Sequence, residues 1–361
     1  MATKLHNITV DGINDIPRLS GTSVRTWSGT PPDITRMDIY SEYLAGPDDL
    51  VATADLTGSN WAIRYFRIAG DKHHTTITDL NDDPGRRIEM LVLGLNSDVD
   101  LISTRVDHMV GWDGDSHDVQ LGSGYTSSVQ LDAETNNVRT GSGDIGSIRT
   151  SGTSTIEIGD VWVGSVRTGN GDDTITTGSK FAEFIGTSKG NDTVNIGSGG
   201  GLVWLGSGDD IIRISEMEQD GGVSVNGSSG QDTLDFSSFS QGISFDLNNH
   251  GWQDVAPATN GALGYVSQLG MENLIGSHKD DTLTGDQGDN VLRGKKGFDT
   301  LSGQDGHDVL RGDDGNDTIH GGAGNDRIFG GNQYDILHGG DGNDVVWGGQ
   351  WQGQGVSGQW Q

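Results

Sequence analysis

Between Gly276 and Trp347 one aliphatic side chain recurs every nine residues: Leu283, Leu292, Leu301, Leu310, Ile319, Ile328, Leu337 and Val346. Its immediate neighbours face the other way, as in the stretches DTLSG and NDTIH. One inward apolar residue between two outward ones predicts a short strand. A strand and a turn every nine residues wind into a parallel coil, and two nonapeptides make one full turn of 18 residues.

The polar positions keep the same period. The segment divides without insertion into eight nonapeptides, with Gly at position 1 in all eight. Position 6 is Asp in seven of them, Asp281, Asp299, Asp308, Asp317, Asp326, Asp335 and Asp344, and Asn290 in the other. The glycines are expected to permit positive φ and a tight turn with exposed carbonyls. Stacking sets position 6 of one repeat beside position 6 two repeats on, so aspartates and turn carbonyls line each edge of the roll. Clustered carboxylate and carbonyl oxygens, about six together, are the donor set of Ca²⁺. Asp is used to the exclusion of Glu: none occurs after Glu272.

A looser rhythm continues upstream. VQLGSG, VQLDAE, VRTGSG, IRTSGT, IEIGDV and VRTGNG start at 119, 129, 138, 148, 156 and 166. Residues 91–213 therefore read as a degenerate parallel β-roll or β-helix. In it Asp173, Asp192 and Asp210 follow the G-x-D rule, either as cation ligands or as turn-shaping residues. Residues 214–275 break the period but hold an isolated nonapeptide, GSSGQDTLD, with Asp232 at position 6, and an alternating strand, GISFDLNN. They read as an irregular segment continuous with the roll. Residues 1–90 show no repeat and read as an N-terminal cap, which a solenoid needs, or a small β domain. NWAIRYFRI and PGRRIEMLVLGL are its clearest strands. Residues 348–361 form a degenerate tail without Asp. The expected class is all-β: a parallel β-roll or β-helix solenoid with an N-terminal capping region.

Composition sharpens this picture. The 361 residues carry 52 Asp+Glu against 22 Lys+Arg, a net charge of −30, which argues against nucleic-acid binding and for a chain that collects cations. Residues 276–347 alone hold 14 Asp and 6 Lys+Arg. There is no Cys, so neither disulfides nor thiolate sites contribute. No run of 18 apolar residues is present to form a transmembrane helix. The start, MATKLHNITVDGIND, lacks the apolar stretch of a secretory signal peptide.

The nonapeptide G-G-x-G-x-D-x-U-x resembles the RTX, or haemolysin-type, calcium-binding repeat. That resemblance implies a β-roll whose cations lie between stacked turns. Position-6 carboxylates and turn carbonyls hold them, the position-1 carbonyls of Gly294, Gly303, Gly312, Gly321, Gly330 and Gly339 among the latter. The implied pairs are Asp281 with Asp299, Asp299 with Asp317, Asp308 with Asp326, Asp317 with Asp335, and Asp326 with Asp344. Asn290 with Asp308 makes a weaker sixth, and Lys279 and Gln333 depart from Gly at position 4. The resemblance further implies type I secretion. Packed acidic edges would repel, which predicts a segment largely unfolded without Ca²⁺ that folds on binding it.

Catalytic signatures are weak. GTSKG at 186–190 matches a hydrolase elbow around Ser188, but a β-repeat follows where a helix is required. No H-E-x-x-H occurs. His73 and His74 could bind a metal but lack a third ligand nearby, Asp113, Asp115 and Asp118 could hold a lone Ca²⁺ but read better as a solvated acidic loop, and His108, His117 and Tyr125 form no constellation. The expected function is a secreted calcium-binding β-roll of structural or adhesive type, self-associating or meeting a cell surface or acidic polysaccharide. The alternatives are a polysaccharide epimerase or lyase that uses the roll for export and folding, and a fragment of a larger toxin or adhesin.

Overall fold

The computed structural model describes residues 87–349 apart from 94, 102–104, 113, 218–220 and 257–263, together with strand segments between residues 5 and 78. Among the described residues every regular element is a strand, and no helix is long and apolar enough to cross a membrane. The chain divides into two compact units, 1–187 and 188–361. Both are wound as a parallel solenoid.

In the first unit two sheets take alternate strands. Ser116–Gln120, Thr135–Arg139, Thr153–Glu157 and Thr174–Thr176 pair in parallel in that order. So do Val106–Gly111, Thr126–Leu131, Ile145–Thr150, Val163–Arg167 and Ala182–Gly186. The strands before residue 90 join the same ladders: Leu5–Thr9 pairs with Leu50–Asp55, then Asp71–Thr78, then Leu95–Leu101. Phe66–Ala69, in the NWAIRYFRI stretch, pairs in parallel with Arg87–Leu93. The core forms because register stacks like on like. Val99, Val119, Val138, Ile156 and Ile175 are partners in consecutive turns, and each is fully buried. Burying such columns of branched side chains drives the winding.

The second unit starts with the same winding and then changes it. Thr193–Ile196, Ile211–Ile214, Thr233–Asp235, Asn273–Ile275 and Val291–Lys296 form one ladder, continued by Val309–Asp314, Arg327–Asn332 and Val345–Trp347. A second ladder, Gly201–Trp204, Gly222–Asn226 and Tyr265–Leu269, ends on the antiparallel strand Gln253–Asp254. A third begins at Ser244–Asp246 and runs through Thr282–Thr284, Thr300–Asp305, Thr318–Ala323 and Ile336–Asp341. Phe236 fills the changeover, 5.6 Å from Phe239 and 5.2 Å from Phe245 between ring centres. From residue 282 onward the register advances by the 18 residues that two nonapeptides require: Leu283, Leu301, Ile319 and Leu337 stack, as do Leu292, Leu310, Ile328 and Val346.

Candidate metal centre

The edge of the roll is built by the turn that precedes each strand. Left-handed backbone falls at positions 2 and 4 of the nonapeptide rather than at the position-1 glycine. Lys295, Gln304 and Asp313 occupy position 2 at φ 82°, 81° and 74°, and Gly297, Gly306 and Gly315 occupy position 4 at 132°, 123° and 155°. Gln333, the departure from Gly at position 4, adopts φ 80°. Position 1 needs Gly for another reason. A Cβ on Gly294, Gly303, Gly312, Gly321, Gly330 or Gly339 would overlap the position-6 carboxylate of its own repeat, which folds back over that Cα.

The stacked carboxylates meet as the spacing requires. The backbone N–H of Asp281 donates to Asp299 Oδ1 at 2.8 Å, that of Asp299 to Asp317 at 2.9 Å, and that of Asp317 to Asp335 at 3.1 Å. On the other edge Asn290 donates to Asp308 Oδ1 at 2.8 Å, Asp308 to Asp326 at 2.9 Å, and Asp326 to Asp344 at 3.0 Å. All six pairs implied by the repeat are therefore adjacent. One oxygen of each inner carboxylate is used in this way. The other, Oδ2 of Asp299, Asp308, Asp317, Asp326 and Asp335, is buried with no hydrogen-bond partner. The carbonyls of Gly321, Gly330 and Gly339 crowd the same glycine Cα atoms as Oδ2 of Asp308, Asp317 and Asp326. Oxygen thus faces oxygen with no donor between them.

Such a buried acceptor calls for a proton or a cation. Burial is the largest influence on these groups and raises Asp299 and Asp308 to about 7 and Asp317 to about 6, with neighbouring carboxylates adding to it and one backbone N–H bond opposing. Among the described residues no three Asp, Glu, His or Cys side chains converge. The donors at any one position are then the carboxylates of stacked turns together with backbone oxygens. This set fits Ca²⁺, which accepts many oxygens in flexible geometry. Bound there, Ca²⁺ would supply the charge that the unpartnered oxygens lack.

Two members of the repeat differ. Asp281 has both oxygens engaged: Ser277 donates to it through its backbone N–H at 2.7 Å and its hydroxyl at 2.7 Å, and Ile243 N–H bonds Oδ1 at 2.8 Å. Asn290 accepts from Asp286 N–H at 2.8 Å and donates to the Glu272 carbonyl at 2.8 Å and Asp286 Oδ1 at 3.1 Å.

The same ladder extends upstream. Asp192 N–H donates to Asp210 Oδ1 at 2.7 Å, Asp210 N–H to Asp232 Oδ1 at 2.9 Å, and Asp232 N–H to Glu272 Oε2 at 2.8 Å. In the first unit Ser154 N–H donates to Asp173 Oδ1 at 2.6 Å. Glu272 was missed in the sequence because the period there is broken by about 40 residues and the residue type differs. Also missed was a second, outer ladder at position 5, where Asp289 accepts from His307 N–H at 2.7 Å, His307 Nδ1 from Asn325 N–H at 2.8 Å, and Asn325 from Asn343 N–H at 2.8 Å. Its only signal is the recurrence of acceptors, Asp, His or Asn, just before the consensus aspartate.

Ser188, on the hydrolase-like stretch, lies in a turn whose carbonyl accepts from Ser207 N–H. His117 is fully buried and bonded to Trp112 O at 3.1 Å, which suits packing rather than chemistry. His73 and His74 fall on a strand whose side chains lie outside the described residues, as does Asp113.

No curated protein matches the chain. A family model does: that of the RTX calcium-binding nonapeptide repeat (4 copies), at residues 269–301, 302–337 and 320–350. Residues 269–350 thus match RTX calcium-binding nonapeptide repeats, and their described part is wound as turns of a parallel β-roll.

Proposed function

We propose that this chain is a secreted structural or adhesive protein whose roll folds on binding extracellular Ca²⁺. The observation that carries this reading is the row of buried, unpartnered Oδ2 atoms at Asp299, Asp308, Asp317, Asp326 and Asp335. Several ions would lie between the stacked turns, held by Asp281, Asp299, Asp308, Asp317, Asp326, Asp335 and Asp344. The carbonyls of Gly294, Gly303, Gly312, Gly321, Gly330 and Gly339 would complete the sites, with Asn290 a poor ligand. Asp192, Asp210 and Asp232 belong to the same row, and Asp173 to its counterpart in the first unit. Without the ion, like charges crowd both edges, and the segment stays extended during type I export, where free Ca²⁺ is low. Binding then couples to folding.

An adhesive role is supported by the outward face of Val291–Lys296, Val309–Asp314, Arg327–Asn332 and Val345–Trp347. Arg311 lies 4.7 Å over the Phe329 ring, and Phe329 stacks on Trp347 at 5.9 Å. Arg293, ion-paired with Asp313, continues this column, and Arg327 lies beside it, on a chain of net charge −30. Cationic and aromatic groups in one row suit an acidic saccharide or the acidic edge of a second copy.

Titrating Ca²⁺ into chelated protein, with far-UV circular dichroism and light scattering read together, tests the reading. A cooperative gain of β signal near about 10⁻⁴–10⁻³ M Ca²⁺, not reproduced by Mg²⁺, is expected. A spectrum already folded in chelator and unmoved by Ca²⁺ would overturn it.

A further inference from the structure

The segment between Asp232 and Glu272 interrupts the nonapeptide period, yet its two ends meet as consecutive turns of the roll. Thr233 is paired with Asn273 and Leu234 with Leu274, a register step of 40 residues. Asp232 N–H donates to Glu272 Oε2 at 2.8 Å, while Glu272 and Asn273 return their N–H groups to the Asp232 carbonyl at 3.1 and 2.9 Å. The turn holding Asp232 reproduces the consensus backbone. Ser228 and Gly230, at its positions 2 and 4, have φ of 72° and 146°. Gly227, at position 1, lies against both Asp232 Oδ2 and the Gly270 carbonyl, as Gly312 lies against Asp317 Oδ2 and the Gly330 carbonyl. Asp232 is fully buried, and its Oδ2 has no hydrogen-bond partner.

We infer that Asp232, Glu272 and the Gly270 carbonyl form a further divalent-cation site, in which a non-consensus glutamate replaces the aspartate of the next repeat. The inference rests on the calcium reading above and deepens it. Glu272 reaches the edge although its turn is shorter: the carbonyl donor sits two residues before it, against five in the consensus, and the extra methylene of Glu spans the difference. An ion there clasps the base of the excursion 233–272. That excursion carries the strand Ser244–Asp246, on which the third sheet of the roll is templated. Closing so long a loop costs chain entropy that an ion at its base offsets. The row of ions then weakens for one step at Asn290, whose side-chain oxygen already accepts from Asp286 N–H and whose amide donates to the Glu272 carbonyl.

The test counts ions on the full chain. Glu272→Gln keeps the acceptor for Asp232 N–H and removes the charge. Native mass spectrometry of Ca²⁺-saturated protein is expected to show one ion fewer than wild type, with an unchanged circular dichroism spectrum in Ca²⁺. Asp326→Asn, in the matched repeats, serves as the control that the count registers a lost site. Should Glu272→Gln fail to fold, Glu272→Asp decides: it keeps the charge but loses the methylene that spans the shorter turn, and one ion fewer than wild type is expected from it. An ion count equal to wild type in the folded variant overturns the clasp alone. A wild-type chain that binds no Ca²⁺ overturns the calcium reading with it.

Discussion

At position 1 of each repeat a single hydrogen atom separates a working edge from a blocked one. Gly312 leaves room for Asp317 Oδ2 and the Gly330 carbonyl, and a methyl group would overlap both. Gly312→Ala is expected to cost about 1–3 kcal/mol and to raise the midpoint of the Ca²⁺ titration. Lys295→Gly should act oppositely. Lys295 holds φ 82°, which costs a non-glycine residue about 1 kcal/mol, so the variant should melt higher in Ca²⁺. Acid provides a second probe of the same oxygens. Asp299 and Asp308 sit at about 7 when folded without a cation, against an ordinary 3.8. Between those values the folded state holds protons that the unfolded chain has released. Ion-free stability is therefore fully present below about pH 4 and is lost as pH rises through about 7. Chelated protein moved from about pH 8 to about pH 5 should gain β signal. With Ca²⁺ present the sign reverses, because protons compete for the same oxygens and the Ca²⁺ midpoint should rise as pH falls.

At the scale of the strand, each nonapeptide contributes one buried side chain and depends on its neighbours in the column. Leu310 is fully buried between Leu292 and Ile328. Leu310→Ala should lower stability in saturating Ca²⁺ by about 2–5 kcal/mol, read from chemical denaturation, whereas a change at the exposed outward Arg311 should have a far smaller effect on folding. These columns were legible in the sequence because the inward residue is aliphatic at every position 8 from 283 to 346. The pairing of position-6 residues at a separation of 18 was legible for the same reason. The cause of the position-1 glycine was not. It lies in a carboxylate folding back in space, while sequence reasoning assigns glycine to positive φ. Ser277, which bonds both oxygens of Asp281, was equally hidden, since nothing in the period marks position 2 of the first repeat as a hydroxyl donor.

For the molecule as a whole, the balance of charge decides how stability depends on the ion. A chain of net charge −30 gains from every cation bound to the folded state alone. Above saturation each tenfold rise in free Ca²⁺ should add about 1.4 kcal/mol per ion bound. The melting temperature should therefore climb with the logarithm of Ca²⁺, steeply if several ions bind, and added monovalent salt should not reproduce the slope. A melting temperature independent of Ca²⁺ would contradict binding coupled to folding.

The nine-residue period alone establishes the strand length, the 18-residue turn, the inward column and the acidic edges of residues 276–347. It can do so because each repeat meets only its neighbours, so local order propagates into global order. Where the period breaks, the chain no longer states its own contacts. That Asp232 meets Glu272 across 40 residues, that Asn290 answers a carbonyl, and that a third sheet starts at Ser244–Asp246 are decided by the folded chain. The physical reason is the same in each case: these partners are set by the stacking of turns around the buried Phe236, Phe239 and Phe245, and not by distance along the sequence.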